Sequence, residues 1–544
     1  MNHLIHFFKK NSLFFLPFII TALPYSIYLL HFPNSPQRDW NYFNSLSLII
    51  QEYLWLAKVP LLDSWICGGV DILANPQNWV FSPFIFLTFF LPPYLANFIS
   101  LIVCLGVGVY GMNKLQAKTE PLINRVLISA LFNLSPFFFL HFIEGHIPYR
   151  TFYFLPLILY YARSIDHLSK AWWLAFLLTT MFLDGGLYPF YFSLILIVLN
   201  LDYKVFYGLL KNKALTKDWF FLILSFIVLI SAKVIPVLSV HHSRVPENEV
   251  TSYSFANIID ALFNIEQSNF KLMDGLPYLG HEYGHYIGFS LFILFIIGLF
   301  QFKQNKGIVF QMFLFSWIAF GIGGVFNPWT LIKLIPFLNH IHIQSRFLIL
   351  AFLMLIFMIS KVQLSPKVKL FFLITAVLEL SVCAFYINQQ GFREPIDFTL
   401  VSIKPLGAGM ARYENYIPKP AVYGSERISH ACYEPAHNKI APYLNLFFGE
   451  NAEQLRANIN FDKIDVVGPY PFTKDFILNF AWNGGWTCDN CNIYETPDGL
   501  VRVSPQERSS ILHLNYNPNH VNFALLSFFM GPFLFIYSYR RIHK

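Results

Sequence analysis

His281-Glu282-Tyr283-Gly284-His285 fits the pattern H-E-x-x-H. On an α-helix that spacing sets two imidazoles one turn apart as zinc ligands, while the glutamate activates water. Gly280 and Gly284 oppose such a helix, each weakening it by about 1 kcal/mol. No third ligand follows at a familiar spacing, so a membrane zinc peptidase stands only as an alternative. Asp39, in Gln37-Arg38-Asp39-Trp40, lies just past the first apolar run. A carboxylate there can take a hydroxyl proton or hold a divalent cation. Its ordinary reading is a solvated loop acid, with Arg38 as an ion-pair partner. Arg150 and Arg346 each begin an apolar run, where a guanidinium offers a two-pronged fork to phosphate or simply anchors the interface. Lys233 lies inside the end of another run, and a lysine there faces a cavity or partner, or snorkels outward. His146 follows Gly145, and His340 and His342 precede Arg346. Glu379 falls within a run and reads as structural, while Glu144 and Asp184 border loops.

Cys488-Asp489-Asn490-Cys491 is a single C-x-x-C, which is poor evidence for zinc. A tight structural disulfide between Cys488 and Cys491 is the first expectation, with Cys67 and Cys432 as other partners. Cys104 and Cys383 sit in apolar runs and read as inert core residues.

The elements that must position these groups are set by composition. The chain has 544 residues, of which 55% are hydrophobic and 13% charged, with 61 Phe. Its mean hydropathy is +0.48. An ordinary soluble chain is about 25% charged. These values exclude a common cytosolic enzyme, a disordered chain and a nucleic-acid-binding domain. Apolar runs long enough to cross a bilayer fall near 12–32, 93–112, 126–143, 150–163, 171–183, 187–201, 219–238, 287–302, 308–326, 346–360, 370–387 and 521–539. About twelve spans follow, and Lys and Arg concentrate in the loops on one side. That bias puts both termini in the cytoplasm, with the first run a retained anchor. The hydrophilic segments 33–79, 239–286, 327–345 and 388–520 then face outward. No G-x-x-x-x-G-K-[ST] occurs, which argues against an ATP-driven pump.

The expected fold is therefore a polytopic α-helical membrane protein with a C-terminal, outward-facing mixed α/β domain. Residues 1–387 form the transmembrane module with outer loop 33–79. Residues 388–520 form the outer soluble domain, and 521–544 a final anchor and tail. Strand signals lie at Lys463–Val467 and Gly499–Val503, beside the turn Thr496-Pro497-Asp498-Gly499.

The order of short motifs carries a resemblance. Asp39 follows the first span, then come Pro60…Trp65…Gly68-Gly69, Asn75-Pro76-Gln77 and Pro83. Gly145-His146 with Arg150, Gly185-Gly186, and Ala232-Lys233-Val234-Ile235-Pro236 with Arg244 come next. Glu282, Tyr286-Ile287-Gly288, Ser345-Arg346-Phe347, Trp482-Asn483-Gly484-Gly485-Trp486 and Tyr516-Asn517-Pro518 complete the series. This resembles YfhO-like membrane proteins of the GT-C glycosyltransferase superfamily along nearly the whole chain. The resemblance implies sugar transfer from a polyprenyl-phosphate donor to a glycan or lipid acceptor, on the outer face of a bacterial inner membrane. It assigns Asp39 as base or metal ligand, with Mg or Mn as the divalent cation. Arg150, Lys233, Arg346, His146, Glu282 and His281 would then bind substrate or its phosphate. A transporter or flippase of a lipid-linked glycan is the other alternative. Such a protein would often show inverted repeats and broken helices, and neither is evident.

Overall fold

The computed structural model describes residues 12–30, 39–63, 69–212, 216–240, 252–391, 447–448 and 455–542. Within these, 269–270, 272, 274, 302, 304, 336–337, 461, 469–470, 473, 483, 498–499 and 507–508 are excepted. Arg38, Cys67, Arg244, Cys432 and most of the segment expected to form the outer soluble domain, including 392–446, lie outside the described residues.

Among the described residues, seven helices are long and apolar enough to cross a membrane: Leu13–Leu30, Pro93–Leu115, Leu122–Glu144, Thr216–Ser239, Gln344–Lys361, Pro366–Gly391 and His520–Ile542. Leu187–Asn200 and Tyr203–Lys211 form a pair bent by 92°, an eighth if counted as one span. Leu168–Leu183, Gly288–Phe300 and Lys306–Phe320 are apolar but shorter. The multi-pass helical architecture follows; twelve full-length spans do not. Residues 150–163 differ most from expectation. They divide into a 3-10 segment, Ile147–Phe154, and a nine-residue helix, Leu155–Arg163. Pro156 is tolerated in the first turn of that helix but would break a longer one running through it, and nine residues rise only about 14 Å.

Two long helices form the centre. Through the apolar stretch of each, Leu122–Glu144 is wholly buried within the protein and Gln344–Lys361 nearly so, whereas His520–Ile542 is largely exposed. Small residues allow the close packing. At Gly111 in Pro93–Leu115, a Cβ would stand 2.5 Å from the Leu157 backbone nitrogen. The last helix is held to the bundle by polar contacts as well as packing. Trp172 donates to Ser538 Oγ at 3.1 Å, and Arg541 Nε donates to Asp218 at 2.7 Å.

Between 447 and 516 the described elements are all strands. One antiparallel sheet has the order Arg456–Asn460, Lys463–Val467, Ile511–Tyr516, Trp486–Cys488. The other runs Phe447–Phe448, Phe476–Ala481, Leu500–Pro505, Cys491–Glu495. Both strand signals are thus strands, and no helix of the expected mixed α/β domain falls among the described residues. Alternation buries Ile464, Val466, Leu512 and Leu514. Phe480 of one sheet meets Trp486 of the other, with ring centroids 5.6 Å apart. Cys488 and Cys491 are joined by a disulfide across the short turn that passes from one sheet to the other.

The strands dock on the first loop. Tyr516 donates its hydroxyl proton to buried Asp71 Oδ2 at 2.7 Å, and His520 Nε2 lies 3.0 Å from the same oxygen. Gly69, at φ +95°, meets the Phe480 ring, which a Cβ would approach to 2.8 Å.

Candidate functional site

The site begins where the central helix Leu122–Glu144 ends. Gly145 caps it in the left-handed region at φ +96°. A Cβ at Gly145 would overlap the backbone nitrogen of Trp40. Glycine therefore lets the helix Asp39–Trp55 start against this terminus. Trp40 Nε1 donates to the Phe142 carbonyl at 2.6 Å, satisfying one of the helix-end acceptors. Asp39 opens its own helix, where an anionic side chain suits the dipole. The carboxylate Oδ2 of Asp39 lies 3.1 Å from His146 Nε2. His146 Nδ1 in turn lies 2.7 Å from His141 Nδ1, so one of the pair must donate to the other.

His281 and Glu282 face this relay from a 3-10 turn, Gly280–Glu282. The H-E-x-x-H segment is not an α-helix. Gly284 lies against the side chains of Gln267 and Leu140 with no room for a Cβ, and the next helix starts only at Gly288. His285 packs against Phe352, at 5.3 Å between ring centroids, and its buried Nε2 has no hydrogen-bond partner. The two motif histidines therefore do not form the paired-ligand face of a zincin. Glu282 is gripped by Arg346, with Nε donating to Oε2 at 2.7 Å and Nη2 donating to Oε1. His281 Nε2 lies 3.2 Å from Glu282 Oε1, and its Nδ1 lies 3.6 Å from Glu144 Oε2. Arg346 stands over two rings, Tyr188 at 4.2 Å and Tyr149 at 4.9 Å.

Burial and charge compete here. Burial raises the Glu282 carboxyl, but the Arg346 charge and fork, with the His281 hydrogen bond, outweigh it and hold Glu282 well below its ordinary range. Burial lowers His281, while Glu282 and then Glu144 raise it further, so the net direction is upward. His285 has no such partner, and burial lowers it to about 3.

Asp39, His146, His281, Glu282 and Arg346 are thus brought together. Arg150 and Lys233 are not part of that cluster. Arg150 forks onto Asp184, at 2.8 and 2.6 Å, and donates to Ser100 Oγ at 2.6 Å. It still lines the same narrow cavity as Trp40, His141 and His146. Lys233 donates to the carbonyls of Asn78 at 2.7 Å and Phe182 at 3.2 Å, tying the first loop to the end of the Leu168–Leu183 helix. Glu379 accepts from Ser290 N at 3.1 Å and so caps the Gly288–Phe300 helix. His342 Nδ1 lies 3.1 Å from the Tyr188 hydroxyl.

Three site residues escaped the sequence: His141, Tyr149 and Tyr188. His141 carried a usable signal, an ionisable group inside an apolar run. The tyrosines carried none in a chain with 29 of them.

Among the described residues, His141, His146 and Glu282 have potential ligand atoms within 4.8 Å of one another. Two imidazole nitrogens and one carboxylate fit Mn or Zn better than Mg, which takes oxygen ligands. Asp39 would then sit behind His146 as its orienting carboxylate. No family model, curated protein or solved structure matches this chain.

Proposed function

We propose that the protein is a membrane glycosyltransferase of the GT-C type. It moves a sugar from a polyprenyl-phosphate donor to a glycan or lipid acceptor on the outer face of a bacterial inner membrane. Both termini are then cytoplasmic and the strand domain lies outside. The observation that supports this most is the Asp39–His146–His141 relay beside the Arg346–Glu282–His281 cluster, at the ends of two central helices.

In this proposal Asp39 takes the proton of the acceptor hydroxyl as that oxygen bonds to the sugar's anomeric carbon. The bond from that carbon to the phosphate oxygen breaks, and its electron pair leaves with the phosphate. His281, favoured in its protonated form, and Arg346 stabilise the charge that develops there. Tyr149 and Tyr188 hold the guanidinium plane in place. A divalent cation held by His141, His146 and Glu282 would supply further charge stabilisation near the leaving group. Arg150 and Lys233 act one layer back, fixing the loops that carry the site.

The test is mass spectrometry of envelope glycans and glycolipids from a deletion strain. It is complemented with wild type, Asp39→Asn or empty vector, at matched protein levels. Loss of a sugar-sized mass, restored only by wild type, is the expected result. Accumulation of full-sized carrier-linked glycan would replace transfer with flipping. Unchanged glycans would overturn both.

A further inference from the structure

The two central helices carry a second polar site at their opposite ends. By helical rise, Leu122 lies about 33 Å along its helix from Glu144, and Lys361 about 22 Å along its own from Arg346. There, a recess of about 520 Å³ opens between the ends of Pro93–Leu115 and Gln344–Lys361 and the starts of Leu122–Glu144 and Pro366–Gly391. Its floor is built rather than incidental. Lys369 is 4% exposed and pairs with Glu120 Oε1 at 2.7 Å. Asn124 Nδ2 donates to the same oxygen at 3.0 Å. Two buried amide oxygens on residues lining the recess, Gln116 Oε1 and Asn124 Oδ1, have no hydrogen-bond partner. Buried polar atoms are rarely left so unless a water or ligand completes them.

Charge at the rim points to the ligand. Lys361 lines the recess, with Nζ 4.7 Å from the Phe357 ring centroid. Arg163 holds its guanidinium 5.2 Å from that same centroid. Among the described residues, neither cation is paired with a carboxylate. Two cations sharing one ring repel each other and gain from an anion between them. Beside the mouth, Leu122 is 54% exposed and Phe371 61% exposed, as lipid-facing side chains are.

We propose that this recess binds a phosphate ester, and that its source is the headgroup of an anionic phospholipid. Lys361 holds the phosphate, and Arg163, which shares the Phe357 ring but does not line the recess and donates to Asn200 Oδ1, adds positive charge beside it. The amide oxygens of Gln116 and Asn124, with Glu120, accept hydrogen bonds from headgroup hydroxyls, and the acyl chains lie along Leu122 and Phe371. This site is independent of the Asp39 cluster.

The test uses delipidated full-length protein in neutral detergent. Phosphatidylglycerol, phosphatidylcholine or inorganic phosphate is added, and retention is read by native mass spectrometry and thermal shift. Lys361→Gln is compared with Lys367→Gln, an exposed lysine of the same region that does not line the recess. The expected result is phosphatidylglycerol retention at least fivefold weaker in Lys361→Gln and unchanged in Lys367→Gln. A thermal shift with inorganic phosphate alone, lost in Lys361→Gln, would keep the anion site and overturn its lipid source. Equal loss in both variants would mean diffuse attraction to basic surface and overturn the site. So would no retention of phosphatidylglycerol or inorganic phosphate by wild type, or phosphatidylcholine retained as well as phosphatidylglycerol.

Discussion

Asp39 and His146 stand 3.1 Å apart, and a neutral amide at position 39 keeps the shape while removing the base. Asp39→Asn is expected to lower sugar transfer by about 10²–10⁴-fold with little change in melting temperature. Activity within threefold of wild type would remove Asp39 from the chemistry. Arg150→Ala should behave in the opposite way. It strands Asp184, which is fully buried, and should cost about 3–5 kcal/mol of stability. A well-folded Arg150→Ala protein would show that the pair is dispensable. His285 gives a pH prediction. Its folded pKa is depressed to about 3, against about 6.5 unfolded. Between those values the unfolded chain binds more protons, so stability falls as pH drops from about 6.5 towards 3. The slope contributed is at most about 1.4 kcal/mol per pH unit. Melting temperature against pH should therefore fall less steeply for His285→Gln than for wild type. Identical slopes would show that another group carries the acid sensitivity.

Gly145 shows how one backbone position sets the site. The helix Asp39–Trp55 can start where it does because nothing projects from Gly145 toward Trp40. Gly145→Ala adds a Cβ into backbone and strains a positive φ, so it should destabilise by about 1–3 kcal/mol. Transfer activity should fall more than stability does, because Asp39 is displaced from His146. A variant with normal activity would mean that this junction does not position Asp39. The apolar runs that form these helices were legible as runs, since burial in lipid or protein demands them. The break at 147–163 was not read, although Pro148 and Pro156 punctuate the stretch. The H-E-x-x-H match misled as well. Spacing predicts ligand geometry only on a helix, and close packing at Gly280 and Gly284 holds the segment in another shape.

Asp71 joins three parts of the molecule: the first loop, the strand domain through Tyr516, and the last helix through His520. Tyr516→Phe removes one hydrogen bond to a buried carboxylate and should cost about 1–3 kcal/mol. Limited proteolysis should then cut more rapidly between the strand domain and the last helix. Unchanged protection would show that apolar contacts such as Phe480 against Gly69 hold the domain alone.

Composition and the spacing of apolar runs were enough to determine a multi-pass helical protein, since a chain this apolar must satisfy its backbone internally to remain in lipid. Alternation likewise determined the strands around Lys463 and Leu500. Individual candidates such as Asp39, His146, Glu282 and Arg346 could be named because charged groups at span ends are conspicuous. Their pairing could not, because it depends on contacts between residues 64 apart for Glu282 and Arg346 and more than a hundred apart for Asp39 and His146. Only the tertiary structure decided that His141 joins the relay, that Arg346 forks onto Glu282, and that Arg150 and Lys233 brace the segments behind it. A buried cation takes whichever acceptor the packing brings within reach, and no local pattern encodes that choice.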